Sequence, residues 1–196
     1  MGLPGSGRVD RRILILGAPG SGKSTLSRRL GAVMGVNPID LDTVAAVAYR
    51  TGQRPRPVEP LLAEAERIAS QRRWIAEGIF TTWTAPLVRA ATDVVIVRTS
   101  LGRCLWRVIR RDMRNHSREH GGLWRLVTFC AEIVDYYRNV CAQAHWANNP
   151  DRTTLATTLR MASSAGDRVV ILSNNQEIEQ FVGVIAGARE SPAFQG

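Results

Sequence analysis

A three-layer α/β fold, a parallel sheet of about five strands flanked by helices, is what this sequence predicts. Three observations carry that prediction. Strand-like and helix-like stretches alternate along almost the whole length, the pattern that lays helices over a parallel sheet. Between one such strand and helix, Gly17-Ala18-Pro19-Gly20-Ser21-Gly22-Lys23-Ser24 spells G-x-x-x-x-G-K-S, the phosphate-binding P-loop in its required strand–loop–helix context. Of 26 Lys and Arg residues one is a lysine, and it is Lys23 inside this loop. An ammonium on a flexible stem follows a phosphate as a compact charge, whereas a guanidinium is wider and prefers forked pairing.

Residues 1–10 read as a disordered leader. Its Gly2-Leu3-Pro4-Gly5-Ser6-Gly7-Arg8 copies the loop's composition without a preceding strand and with arginine for lysine. Met1-Gly2 with Ser6 also fits a short N-myristoylation pattern, a minor reading. Residues 12–16 are an apolar strand and 26–30 are helix-compatible. Residues 37–42 form a short strand ending in Asp40 and Asp42, followed by a short helix over 43–50. The proline-rich stretch 51–60 is a connector, with Pro57 and Pro60 suited to the first turn of the next helix. That helix places Leu61, Leu62, Ala65, Ile68 and Ala69 on one face.

Residues 74–78 are the next strand, 84–91 a short helix, and 93–97 the clearest central strand. The following helix sets Leu101, Cys104, Leu105, Val108 and Ile109 on one side and Arg103, Arg107, Arg110 and Arg114 on the other, an arginine stripe over an apolar seam. Residues 114–122 are polar and end in Gly121-Gly122, the composition of a mobile flap. Apolar residues at helical spacing from Leu123 to Ala144 give a long helix, and another covers 152–163. A last strand at 168–172 and a helix from Asn175 to about Ala186 close the domain, and 187–196 fray.

With 196 residues, 44% of them hydrophobic, the chain buries one core and forms a single domain over 11–186. No apolar run approaches the ~20 residues of a membrane span, and no signal-peptide pattern is present, so a soluble, cytoplasmic protein is expected. Cys104, Cys130 and Cys141 lie in apolar helical patterns and read as reduced core residues. His116 and His120 lack further ligands at zinc spacing and read as solvated. A net charge of +9 ordinarily suggests nucleic acid. The charge is concentrated, however, with eight arginines against Asp112 and Glu119 between positions 98 and 125. Near a P-loop such a cluster serves a nucleotide and its phosphorylated partner equally well.

Ligands of open α/β sheets sit at the carboxyl ends of the strands. Those ends hold the P-loop, the Asp40/Asp42 pair and Glu77. Phosphoryl transfer needs positioning, charge neutralisation, a metal and a group that orients the attacking hydroxyl. The loop (Gly17, Gly20, Ser21, Gly22, Lys23, Ser24, Thr25) is the expected ATP site, with Lys23 on the β/γ oxygens and the Ser24 hydroxyl on Mg²⁺. Asp42, with Asp40 as the alternative, orients the acceptor hydroxyl; the competing reading is an N-cap aspartate ahead of Thr43. Glu77, followed by Gly78, either holds a metal-bound water, binds substrate, or serves a capping or salt-bridge role. Arg103, Arg107, Arg110, Arg111 and Arg114 are candidates for stacking on a base and clamping phosphate, with two or three of them left on a solvated face.

With those residues in place, the chain resembles small P-loop kinases of the adenylate-kinase-like and shikimate-kinase-like group over residues 11–185. In detail it looks most like bacterial proteins called DNA topology modulation or flagellar-regulator proteins. The resemblance rests on residues 17–24, on Ile39-Asp40-Leu41-Asp42, on Trp74-Ile75-Ala76-Glu77-Gly78, on Cys104-Leu105-Trp106-Arg107-Val108 with Arg110-Arg111, and on 169–181. It implies ATP and Mg²⁺ at the first motif, an acceptor facing the second across roughly 43–73, and an arginine-rich lid over 110–123, with Lys23, Asp42, Arg107 and Arg111 in catalysis, Arg103 and Arg107 on the nucleotide, and Asp40, Asp42, Glu77, Gly78 and Arg114 on the acceptor. Where the relatives carry aspartate and then Gly-Asn-Tyr, this chain has Glu77-Gly78-Ile79-Phe80, and the histidine that often precedes the second acidic motif is absent, so a drier, differently shaped acceptor pocket is expected.

Other P-loop classes fit less well. One lysine, already placed, leaves none for the Asn-Lys-x-Asp motif of GTPases, and the strand ending in Arg98-Thr99 lacks the Asp-Glu of motor ATPases. The expected activity is transfer of the γ-phosphoryl group of ATP to a hydroxyl or phosphate of a small molecule. The alternative is a nucleic-acid-binding regulator working through its basic surface.

Overall fold

The computed structural model describes residues 10–48, 58–115, 122–138 and 153–187. The expected leader up to residue 9, the connector 49–57, the flap core 116–121 with both of its histidines, the stretch 139–152 with Cys141, and the tail from 188 lie outside the described residues.

The described chain alternates as expected. It runs β1 (Arg12–Leu16), α1 (Lys23–Met34), β2 (Ile39–Asp40), α2 (Leu41–Ala48), α3 (Glu59–Ala69), β3 (Trp74–Gly78), α4 (Ala85–Ala90) and β4 (Asp93–Val97). After these come α5 (Leu101–Asn115), α6 (Gly122–Arg138), α7 (Leu155–Ser163), β5 (Val169–Leu172) and α8 (Asn175–Gly187). The five strands pair in the order β2-β3-β1-β4-β5, every pair parallel.

Alternation along the central strands builds two cores. Leu14, Leu16, Ala76, Val94 and Ile96 face one way and are covered by Leu41, Leu61, Ile68, Leu87 and Ala162 of α2, α3, α4 and α7. Ile13, Ile15, Ile75, Val95 and Val97 face the other way under Leu26, Leu30 and Met34 of α1 and Ile185 of α8. A strand buried on both faces has no polar side, which is why β1 and β4 read as continuous apolar runs. A third, smaller cluster joins Ala18 of the loop to Cys104 and Val108 of α5 and to Ile133 and Tyr136 of α6.

Two expectations are corrected here. Residues 37–42 are not one strand: only Ile39 and Asp40 pair with β3, and Leu41 already starts α2. The reason is the Asp40 carboxylate, which takes the Asp42 amide at 2.9 Å and the Thr43 hydroxyl at 3.0 Å and so caps the helix. Ile109 and Leu62 are 40% and 38% exposed and belong to no core face, because each lies at the margin of its helix's apolar stripe.

Candidate active site

The register brings the expected site residues to one edge. Leu16, the last residue of β1 before the loop, pairs with Gly78, while Ile15 and Asp40 both pair with Glu77. Loop, Glu77 and the Asp40–Asp42 segment therefore share the carboxyl edge of the sheet, where ligands of this architecture bind.

The loop is held open by packing as much as by its own turns. Gly20 has φ 77°, and a Cβ there would meet the Cys104 carbonyl oxygen at 2.6 Å, so α5 rests directly on the loop's crown. Gly78 performs a similar service on the other side: a Cβ would fall 2.9 Å from that of Leu41, so glycine lets α2 pack against the end of β3 and brings Asp42 to the site. The amino end of α1 has Gly22 as its N-cap, no side-chain cap and no acidic residue in its first turn. Its leading amides and dipole are thus offered to an external anion.

Lys23 is 7% exposed, and its Nζ donates to the Ala18 carbonyl at 3.2 Å. Burial pushes its pKa below the usual lysine value of 10.5, against the pull of Glu77, Asp42, Cys104 and Asp40 in that order. Asp42 keeps an open side to solvent, yet the protein around it displaces enough water to raise its carboxyl above the usual value of 3.8. Lys23 opposes that rise, and Asp40 and Glu77 add to it. Glu77 is 7% exposed. Lys23 and Asp42 thus feel each other and the charges of Glu77 and Asp40, the kind of perturbation that marks functional sites.

Ser24 and Thr25 are exposed at the start of α1. The Ser21 hydroxyl is buried and has no hydrogen-bond partner, a donor awaiting an acceptor. An uncapped helix start, an orphan hydroxyl, a glycine cradle and a buried ammonium fit a polyphosphate. Among the described residues no group of three or more His, Cys, Asp or Glu is placed to cage a metal. A Mg²⁺ carried by phosphates, keeping its waters and taking the Ser24 hydroxyl, matches that donor set.

The arginines separate. Arg107 Nη1 donates to the carbonyls of Ser21 at 2.9 Å and Gly20 at 3.3 Å. Arg103, Arg110, Arg111 and Arg114 are exposed on α5; Arg110 lies 4.9 Å from the Trp106 ring centroid, and Arg111 lines a cavity of about 530 Å³ between α5 and α6 with Val108, Trp124 and Phe129. Reading the sequence missed Thr99, whose hydroxyl donates to the Ser21 carbonyl at 2.9 Å. Its position just after β4, at a strand's carboxyl end, was the available signal.

Residues 13–168 match a family described as an AAA domain (AAA_33). The chain belongs to this family. Among curated proteins it is similar to the shikimate kinases of Mycobacterium avium (strain 104) and Mycolicibacterium paratuberculosis (strain ATCC BAA-968 / K-10). Each is 46% identical over 52 residues, which is 26% of this chain and 27% of the length of those relatives. A solved shikimate kinase from Acinetobacter baumannii in complex with shikimate aligns over 96% of this chain and 100% of that one, with a TM-score of 0.53 at 12% identity. A gluconokinase from Sinorhizobium meliloti 1021 aligns over 93% of each chain with a TM-score of 0.49 at 15% identity. The AAA_33 chain has the P-loop kinase fold. Among its described residues no helix is long and apolar enough to cross a membrane.

Proposed function

We propose that this protein is an ATP- and Mg²⁺-dependent phosphotransferase that moves the γ-phosphoryl group to a hydroxyl or phosphate of a small molecule. The observation that carries the proposal is Lys23: the chain's one lysine, buried at the loop beneath an uncapped helix start and opposed by Asp42 and Glu77. A desolvated ammonium is costly unless anionic groups face it, and the loop amides and helix start beside Lys23 direct such a group, a phosphate, to the same place.

Bound Mg²⁺ supplies neutralisation of charge on the phosphate oxygens. The loop amides and Lys23 hold the phosphate tail, and the Ser24 hydroxyl is the protein's ligand to the metal. Asp42 accepts a hydrogen bond from the acceptor hydroxyl and takes its proton. Its raised pKa makes it a better base than an ordinary aspartate. Asp40 is spent on the helix cap and works by fixing Asp42. Glu77 and Gly78 border the acceptor, and the half-buried Phe80 that follows them packs on the core residue Trp83, with ring centroids 5.2 Å apart. Arg107 clamps the loop, and Arg111 and Arg114 belong to a lid that closes over transfer.

The proposal takes support from the shikimate kinases among the relatives, and the bacterial DNA-topology-modulation type stays as the narrower resemblance. Nothing in the comparisons favours a nucleic-acid regulator. Release of ADP, measured against a panel of nucleosides, nucleoside monophosphates, sugars, shikimate and aminocyclitols, is the test. At least one acceptor is expected to stimulate release well above the rate with water, and a panel without any stimulation would count against the proposal.

A further inference from the structure

The loop is tied from a direction that its motif does not reveal. Thr99 is buried, 9% exposed, and its hydroxyl shares the Ser21 carbonyl with Arg107, each donor at 2.9 Å. The carbonyl of Thr99 in turn accepts from the hydroxyl of Tyr137, in the last turn of α6. Cys104 Sγ stands 3.3 Å from that hydroxyl. A continuous run of hydrogen bonds leads from α6 through Thr99 to the loop.

Peptide geometry says what the run controls. A peptide unit is planar and trans, so the Ser21 carbonyl and the Gly22 N–H point in opposite directions. Two donors holding the carbonyl hold the amide turned away from them. The amide of Ser21 is already spent on the Ala18 carbonyl at 3.1 Å, so Gly22 carries the next free donor for an anion. Gly22, at φ 107° with no Cβ, resists rotation of that plane least of all residue types, so the restraint has to come from outside the loop.

We infer that Tyr137 is a positioning residue for phosphate binding: acting through Thr99, it sets the Ser21–Gly22 peptide plane and aims the Gly22 N–H at the bound phosphate. The inference rests on the proposed nucleotide-dependent activity and adds a residue from outside the motif. Burial pushes the Tyr137 hydroxyl far above the usual phenol value, so it stays protonated, and a donor, throughout the working pH range.

The test is calorimetric titration of Mg·ADP into the full-length wild type, Tyr137→Phe, Thr99→Val, Thr99→Ser and the double variant Tyr137→Phe/Thr99→Val, with the Gly22 amide followed by NMR. Removing one hydrogen bond in the run should weaken Mg·ADP about three- to tenfold in Tyr137→Phe. Thr99→Val should lose at least as much, and Thr99→Ser should stay near wild type. Because the two residues act in series, the double variant should bind no more weakly than Thr99→Val alone. The shift of the Gly22 amide on adding Mg·ADP should shrink in Tyr137→Phe, a change that loss of packing alone does not produce. Wild-type affinity in Tyr137→Phe, or losses that multiply in the double variant, would overturn the inference and leave the proposed activity standing. If Tyr137→Phe does not fold, Tyr137→Gln and Tyr137→Met decide: Gln, which keeps a donor, should bind Mg·ADP more tightly than Met, and equal affinities would overturn the inference. Failure of the wild type itself to bind Mg·ADP would overturn the proposed activity, and this inference with it.

Discussion

The two ends of the proposed site are built from different materials. At the proposed nucleotide end the work falls to backbone: uncapped amides at the start of α1, carbonyls of Gly20 and Ser21 held by Arg107 and Thr99, and a glycine crown under α5. At the proposed acceptor end it is left to side chains, Glu77 on the interior strand β3 and Asp42 in the first turn of α2, which the two-residue edge strand β2 leads into. Backbone recognition demands glycine at particular positions and so leaves a spelling in the sequence. Side-chain recognition leaves only residue types, and it drifts with substrate.

The largest effect should come from breaking the nucleotide end. Lys23→Ala should lower kcat/KM about 10²–10³-fold, the scale for removing one preorganised charge-stabilising group, with circular dichroism unchanged. An unaltered rate would place the chemistry elsewhere. At the acceptor end, Asp42→Asn should lower kcat about 10²-fold while the KM for ATP stays put. The wild-type rate should fall in acid along a limb centred above 3.8, since the raised carboxyl must be ionised to act, and Asp42→Asn should lose that limb. A limb at the ordinary aspartate position would assign the proton to another group.

Glu77→Gln should act more weakly and only on one side, raising the KM of the acceptor a few-fold and leaving ATP binding alone, about the difference between a charged hydrogen bond and the neutral one that glutamine keeps. If it weakens Mg·ATP instead, Glu77 belongs to the metal. The smallest effect is on stability. Burial lowers the Lys23 pKa below 10.5, so the charged form is penalised by folding below the folded-state pKa, and the penalty fades as pH rises from there toward 10.5. Lys23→Met should therefore melt somewhat higher than wild type at pH 7, with the gap closing in alkali. A variant that melts lower would mean that the attraction of Glu77 and Asp42 outweighs desolvation.

The same contrast explains what the sequence disclosed. β1, β3 and β4 were legible to the residue because strands buried on both faces are short apolar runs between turn signals. Lys23 and its glycines were legible because the loop is a spelling. The end of β2 was not, since whether residues 40–42 extend a strand or start a helix is decided by where the Asp40 carboxylate finds donors. Thr99 and Tyr137 were hidden for a further reason. Their bonds to the loop cross 78 positions in one case and come by way of Thr99 in the other, a tertiary fact without local pattern.

Everything proposed turns on a loop built to grip a triphosphate through its one lysine. Calorimetric titration of Mg·ATP into the wild-type protein and into Lys23→Ala measures that grip without knowledge of the acceptor. Saturable one-to-one binding by the wild type, lost or greatly weakened in Lys23→Ala, is the predicted result. No heat with the wild type, or equal affinity in both proteins, would contradict it.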